Sequence, residues 1–126
     1  MDEFTPGRGP IVVEVEISGP AGSAATRLIL DTGATATLIK PGFLIAVGYD
    51  PDLMSERVSI ATVEGVCMVP RLQLNRLSAL GQHRFGFSVV CHSLPTADGI
   101  HGLPGLDFFR GTVLKIDFGQ GQIELS

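Results

Sequence analysis

Asp31 sits in the run "LILDTGATATLI", residues 28 to 39, as one carboxylate among apolar and small side chains. Six other aspartates occupy easier places in the chain. An unpaired carboxylate is costly to bury, so this position calls for a chemical or a structural reason. Gly33 permits a sharp turn after the apolar strand, which presents the Asp31 carboxylate at a strand tip beside the backbone N–H groups of Gly33 and Ala34, a prepared place for an anion. An Asx-type turn, in which Asp31 bonds only its own loop, accounts for the same residues. D-T-G alone is common by chance. Its context here is richer: an apolar strand before it, the β-branched "TATLI" after it, and a second apolar, glycine-containing element, "LPGLDFF", at residues 103 to 109.

Other candidate chemistries are weaker. His83, His92 and His101 show neither an i, i+4 pair nor an adjacent acidic ligand pattern, so no metal is expected. No G-x-S-x-G box is present, and "GFS" lies within a strand-like run instead of at an elbow. Asp107 opens a short helical stretch and is expected to cap it, not to act as a second catalytic carboxylate. Asp98 and Asp117 are expected in turns or on the surface. Cys67 and Cys91 are too few for a disulfide framework, lack C-x-x-C spacing, and are expected to be free, buried thiols.

A length of 126 residues with 44% hydrophobic content, 16 glycines and 8 prolines fits a single turn-rich domain. A formal net charge of −4 with no basic cluster offers nothing to nucleic acid. The opening "MDEFTPGRGP" has no apolar signal region and no later run approaches membrane-spanning length. The chain is expected to be cytoplasmic, without membrane or nucleic-acid partners.

Strands must position Asp31. Residues 11 to 18 alternate Ile11, Val13, Val15 and Ile17 against Glu14, Glu16 and Ser18, the pattern of a half-buried strand. "GPAGS" is a turn, and "TRLILDT" resumes as a strand expected to be central, covered on both faces at residues 28 to 30. "TATLI" is a further strand, and "PGFLIAVG" suits one or two helical turns closed by Gly48. Runs at 57 to 63 and 66 to 74 flank "VEGV", predicting a hairpin with its tip near Glu64 and Gly65. Residues 84 to 93 form another strand. "LPTADGIHG" is a loop, a short helix runs through Phe109, and "TVLKIDF" and "QIELS" fold back on each other around "GQG". Residues 1–10 are an N-terminal arm and 11–126 one domain.

Taken in order, "LILDTGATATLI", the hairpin and "GLPGLDFF" resemble the retropepsin-like, retroviral-type aspartic proteases, particularly the bacterial single-domain members. The resemblance covers the chain from about Ile11 onward. It implies an all-β, retropepsin-like closed barrel with one or two short helices. It implies that Asp31 is catalytic, that Thr32 locks two active-site loops together, and that Gly33, followed by Ala34, lies against the substrate backbone. Val63, Glu64, Gly65 and Val66 would form the tip of a flap over the cleft, and Leu103, Pro104 and Gly105 the second glycine box. Many retroviral members carry an Asp after D-T-G-A and an Arg after the second box as an ion pair; Thr35 and Leu106 stand there instead. Losing both partners strands no charge.

Peptide hydrolysis without metal or covalent nucleophile needs one carboxylate to take a proton from water and one carboxyl to give a proton to the scissile carbonyl. With one D-T-G in the chain, a two-fold homodimer must supply the second Asp31. The expected activity is therefore that of an aspartic endopeptidase acting on peptides or proteins with no cofactor. A non-catalytic dimerisation or peptide-binding module on the same fold is the alternative. The intact D-T-G-A argues against it, because an abandoned dyad has no need of an isolated carboxylate.

Overall fold

The computed structural model describes residues 2–7, 9–93 and 99–126. Of its residues 52% are strand and 11% helix, as the alternating sequence predicts. The first hairpin joins Val12–Gly19 (β2) to Gly22–Ile29 (β3), with Val13, Val15, Ile17 and Leu28 turned into the core. A short strand before it, Asp2–Glu3 (β1), has no apolar pattern. The N-terminal arm, where the sequence predicts no strand, adds this one to the C-terminal hairpin.

Beyond Asp31 the β-branched run contributes only Leu38–Ile39 (β4), followed by the helix Pro41–Ala46 (α1). Proline at the helix start supplies no N–H that would be wasted there. Gly48, with φ 101°, turns the chain out of it. A 3₁₀ turn, Pro51–Leu53, leads to the hairpin of Arg57–Thr62 (β5) and Gly65–Ala79 (β6). β6 is the longest element, because it continues past the expected end at residue 74 and turns through Leu80 and Gly81 into Gln82–Cys91 (β7). Both turn residues have positive φ, 54° and 77°, the geometry a two-residue hairpin demands.

Gly102–Leu103 (β8), Leu106–Phe109 (α2), Leu114–Asp117 (β9) and Gln122–Leu125 (β10) complete the chain. The main sheet runs β3-β2-β6-β7-β4-β8, with β5 attached to β6 alone; a second sheet runs β1-β10-β9. β4 is parallel to β7 and antiparallel to β8. β3 thus terminates the main path instead of lying centrally, and its burial alternates, with Leu28 buried and Arg27 exposed. A single bridge joins Arg27 to Ile100 beside β8.

Tyr49 fills a gap in this framework. Its hydroxyl donates to the Ser18 carbonyl at 3.1 Å and accepts from the Asn75 N–H at 2.8 Å, where the β2–β6 ladder ends at Ser18 and Arg76. Gly19 admits the ring: a Cβ there would lie 2.5 Å from Tyr49 Cε2.

Candidate active site

The apolar residues of β3 bring the chain to Asp31 at the end of the hairpin, where Leu30 N–H still bonds Ile11 O at 2.8 Å. The turn then closes on itself. Gly33 N–H donates to Asp31 Oδ1 at 2.9 Å and Ala34 N–H to the Asp31 carbonyl at 3.2 Å. This is the Asx-type turn: only the Gly33 N–H meets the carboxylate, and the Ala34 N–H, expected beside it, bonds the Asp31 main-chain carbonyl instead. Asp31 is half-buried, and Thr32 and Gly33 are exposed on the chain's surface. Among the described residues, Oδ2 of Asp31 takes no protein hydrogen bond.

The far limb of the loop is fastened to the second glycine box. Leu106 N–H bonds Ala34 O at 2.8 Å and Asp107 N–H bonds Thr35 O at 3.2 Å. Main-chain bonds thus occupy the two positions, Thr35 and Leu106, where many retroviral members place an ion pair. Thr37, fully buried, gives its N–H to Asp107 Oδ2 at 3.1 Å and its hydroxyl to Oδ1 at 2.7 Å. The same hydroxyl accepts from Gly105 N–H at 3.1 Å. Each buried polar group in this cluster finds a partner, the condition under which such a network stabilises. Gly105 is required sterically: a Cβ there would lie 2.5 Å from the Ala36 carbonyl carbon and oxygen. Pro104 is buried beside it and Leu103 half-buried in β8.

This corrects the expected role of Asp107. The short helix is where it was predicted, but Gly105 is its N-cap, with no side-chain capping bond, and Asp107 lies in its first turn. Its carboxylate reaches across to Thr37 instead. Arg84 on β7 secures the other end of α2, donating to Phe108 O from Nε at 3.3 Å and Nη2 at 3.0 Å while its guanidinium lies 5.0 Å from the Phe108 ring centre. Thr37 and Arg84 were not singled out by sequence. Nothing local separates Thr37 from Thr35; its partner lies 70 residues away.

The β5–β6 hairpin turns at Val63 and Glu64, with Gly65 at φ 122°. Thr62 Oγ1 donates to Gly65 O at 2.9 Å and accepts from Glu64 N–H at 3.3 Å. Val63 is fully exposed, and Val66 and Met68 are 75% and 59% exposed. A cavity of about 770 Å³ lies elsewhere, between the N-terminal arm and β2–β3, lined by Phe4, Val12, Arg27 and Ile100 among others and not by Asp31.

Among the described residues no three His, Cys, Asp or Glu side chains gather as metal ligands. His83 bonds Ser78 at 2.6 Å, and His101 bonds Thr26 at 2.5 Å and stacks on Phe43. Asp98 lies outside the described residues, whereas Asp117 accepts from Gly119 and Gln120 N–H groups in a turn, as expected. Cys91 is buried; Cys67, on β6, is only partly so. Burial pushes the Cys91 thiol's pKa up, and the Asp52 carboxylate adds to the rise.

A family model described as "gag-polyprotein putative aspartyl protease" matches residues 13–111. The chain belongs to this retropepsin-like aspartic protease family. No curated protein matches it. The matched span of the aspartyl protease model includes D-T-G-A, the β5–β6 hairpin and the second glycine box. It ends before β9, so the sheet β1-β10-β9 lies outside it.

Proposed function

We propose that the chain is an aspartic endopeptidase whose active site is completed by a second copy, each contributing Asp31. The observation that carries this reading is the Asp31 turn: a carboxylate held on one oxygen by Gly33 N–H, on a loop fastened by five hydrogen bonds to Gly105 of the second glycine box and the first turn of α2. Membership of the aspartyl protease family supports the class of reaction. The exposure of Thr32 and Gly33 in the single chain suits a loop that meets a partner and a substrate there.

The chemistry follows from two carboxyl groups sharing one proton, which aspartic proteases as a class exploit because two adjacent carboxylates cannot both ionise. The ionised Asp31 takes a proton from water as the water oxygen attacks the scissile carbonyl carbon. The protonated Asp31 gives its proton to the carbonyl oxygen, forming a neutral tetrahedral diol. Collapse breaks the C–N bond, with a proton delivered to the leaving nitrogen, and the pair returns to its shared-proton state. No cofactor enters. Thr32 bonds across the two loops, while Gly33 and Ala34 leave room for the substrate main chain.

Substrate lies extended, as an added strand between this floor and the flap made by Val63, Glu64, Gly65 and Val66, whose exposed apolar side chains suit hydrophobic residues beside the cut. The Arg27–Ile100 bridge, which joins β3 at one end of the main path to the segment just before β8 at the other, supports a closed barrel within the domain of residues 11–126. Replacing Asp31 by Asn tests the assignment, since it keeps size and hydrogen bonding but removes the acid–base group. A purified Asp31→Asn chain that folds normally is expected to cleave no unstructured protein; undiminished cleavage would reject the mechanism. Wild-type activity is expected to peak on the acid side of neutrality. A peptide-binding module without turnover would instead bind peptide and cleave nothing at any pH.

A further inference from the structure

The alternation of β7 breaks at one place. Its ladder with β6 runs in register from Arg71 and Val90 to Ala79 and Gln82, except that the pair Asn75 and Gly86 is missing. Gly86 has φ 58°, a backbone that a side chain would strain, and its carbonyl accepts from Gln73 Nε2 at 2.8 Å. The Asn75 N–H bonds the Tyr49 hydroxyl instead. The break resets the pleat. Leu74 and Leu77, three apart on β6, are both fully buried, and their partners Phe87 and Arg84 lie on that same face. A regular strand turns residues three apart to opposite faces. Here both reach Phe108 of α2: the Phe87 ring lies edge-to-face at 6.2 Å and the Arg84 guanidinium 5.0 Å from the ring centre. Irregularities of this kind re-aim side chains.

α2 needs what Arg84 supplies. It has four residues and no side-chain cap at Gly105, and a helix so short has no stability of its own. Its last carbonyls lack intrahelical partners. Phe109 O is satisfied by Thr112 N–H at 3.1 Å, whereas Phe108 O, on a fully buried residue, depends on Nε and Nη2 of Arg84. Among the described residues no carboxylate pairs with Arg84, so its planar fork is given to main-chain carbonyls.

We propose that Arg84 is a positioning residue of the Asp31 site, holding α2 against β7 so that Asp107 keeps Thr37 and the D-T-G loop in place. This rests on the endopeptidase reading and adds a determinant of its turnover. β7 also grips the loop at its other end, where Val90 N–H donates to Thr37 O at 2.9 Å and Leu38 and Ile39 pair with Val90 and Cys91. One strand thus fixes both limbs, directly at β4 and through Arg84 at α2. About 20 Å of extended strand separates the two grips, and the bonds of Thr37 to Asp107 close the frame. With the Arg84 corner open the loop can shift, and a small misplacement of a reacting group is costly to turnover.

Arg84→Met tests this, because it keeps an unbranched stem over Phe108 and removes the donors. Per folded molecule, kcat should fall about tenfold or more while KM changes less than about twofold. The pH profile of kcat should narrow, since carboxyl groups moved apart are less strongly coupled. A variant that melts earlier but keeps wild-type kcat and profile would overturn the positioning role. If Arg84→Met does not fold, Arg84→Lys, which keeps the charge without the paired donation, should show the same changes at smaller size; wild-type kcat there would overturn the role equally. Amide exchange separates this inference from the protease reading. The Leu106 and Asp107 amides, which hold the Ala34 and Thr35 carbonyls, should be accelerated in the variant by a larger factor than amides of the β2–β3 hairpin. An equal factor in both would overturn the inference whatever the chain cleaves. Selective acceleration in a protein whose wild type cleaves nothing would uphold the grip on the loop and reject the endopeptidase reading.

Discussion

The D-T-G loop and the β5–β6 hairpin both carry exposed residues, yet they are held in opposite ways. The loop is tied to a distant segment through Thr37, Asp107 and Gly105, with its fastening residues buried. The hairpin is held at its outer end by its own ladder and by Thr62 at the turn, with valines facing water. On the proposed protease reading the loop is a fixed floor and the hairpin a weakly anchored cover, the combination a site needs when it must aim a carboxylate accurately and still admit a polymer. The contrast suggests a division of effects: changes in the floor should cost turnover and stability, and changes in the cover should cost substrate binding.

Removing the reacting group should give the largest loss. Asp31→Asn is expected to lower cleavage by about 10³-fold or more with little change in melting temperature, measured on an unstructured protein substrate alongside thermal unfolding. The floor's fastening comes next. Thr37→Val keeps the main-chain bond to Asp107 Oδ2 but leaves Asp107 Oδ1 and the Gly105 N–H without their buried partner, so chemical denaturation should show a loss of about 2–3 kcal/mol, with kcat falling alongside it. A mild effect there would mean that the loop is positioned by other contacts. Tyr49→Phe, remote from the loop, should cost about 1–2 kcal/mol through the unpaired Asn75 N–H and Ser18 carbonyl while kcat stays unchanged.

On the cover, Val66→Ser should leave stability within about 0.5 kcal/mol and raise KM more than it lowers kcat. A proportionate fall in kcat alone would move this hairpin into the floor. The smallest effect separates the regions by thiol reactivity. With its pKa raised by burial, Cys91 carries less thiolate at any given pH than an ordinary cysteine. Iodoacetamide at mildly alkaline pH should therefore modify Cys67 well before Cys91, read by mass spectrometry of peptides.

Much of the fold was legible in the residues. Alternation located β2, the β5–β6 hairpin and the terminal hairpin, because a half-buried strand writes its period of two directly into the chain. D-T-G-A and L-P-G marked the two loops. What escaped depended on distant partners or unusual backbone. β6 runs on to Ala79 because Leu80 accepts a left-handed conformation, which leucine does not advertise as glycine or asparagine would. β1 consists of two acids with no apolar face and exists because β10 offers it an edge. Asp107 has the position of a helix-capping residue, and only the fold reveals that Thr37 claims its carboxylate. β3 has the apolar run of a central strand but ends the main path.

The central claim is that two chains share one pair of aspartates, and a mixing experiment addresses it most directly. Wild-type chain is combined with increasing proportions of Asp31→Asn chain at a total concentration where the protein is dimeric, allowed to exchange, and assayed for cleavage. If each site needs Asp31 from both copies, mixed dimers are inactive and activity follows the square of the wild-type fraction, so an equal mixture retains about half the activity per wild-type chain. If activity per wild-type chain instead remains constant while the chains are shown to exchange, each chain carries a complete site and the shared-aspartate account is wrong.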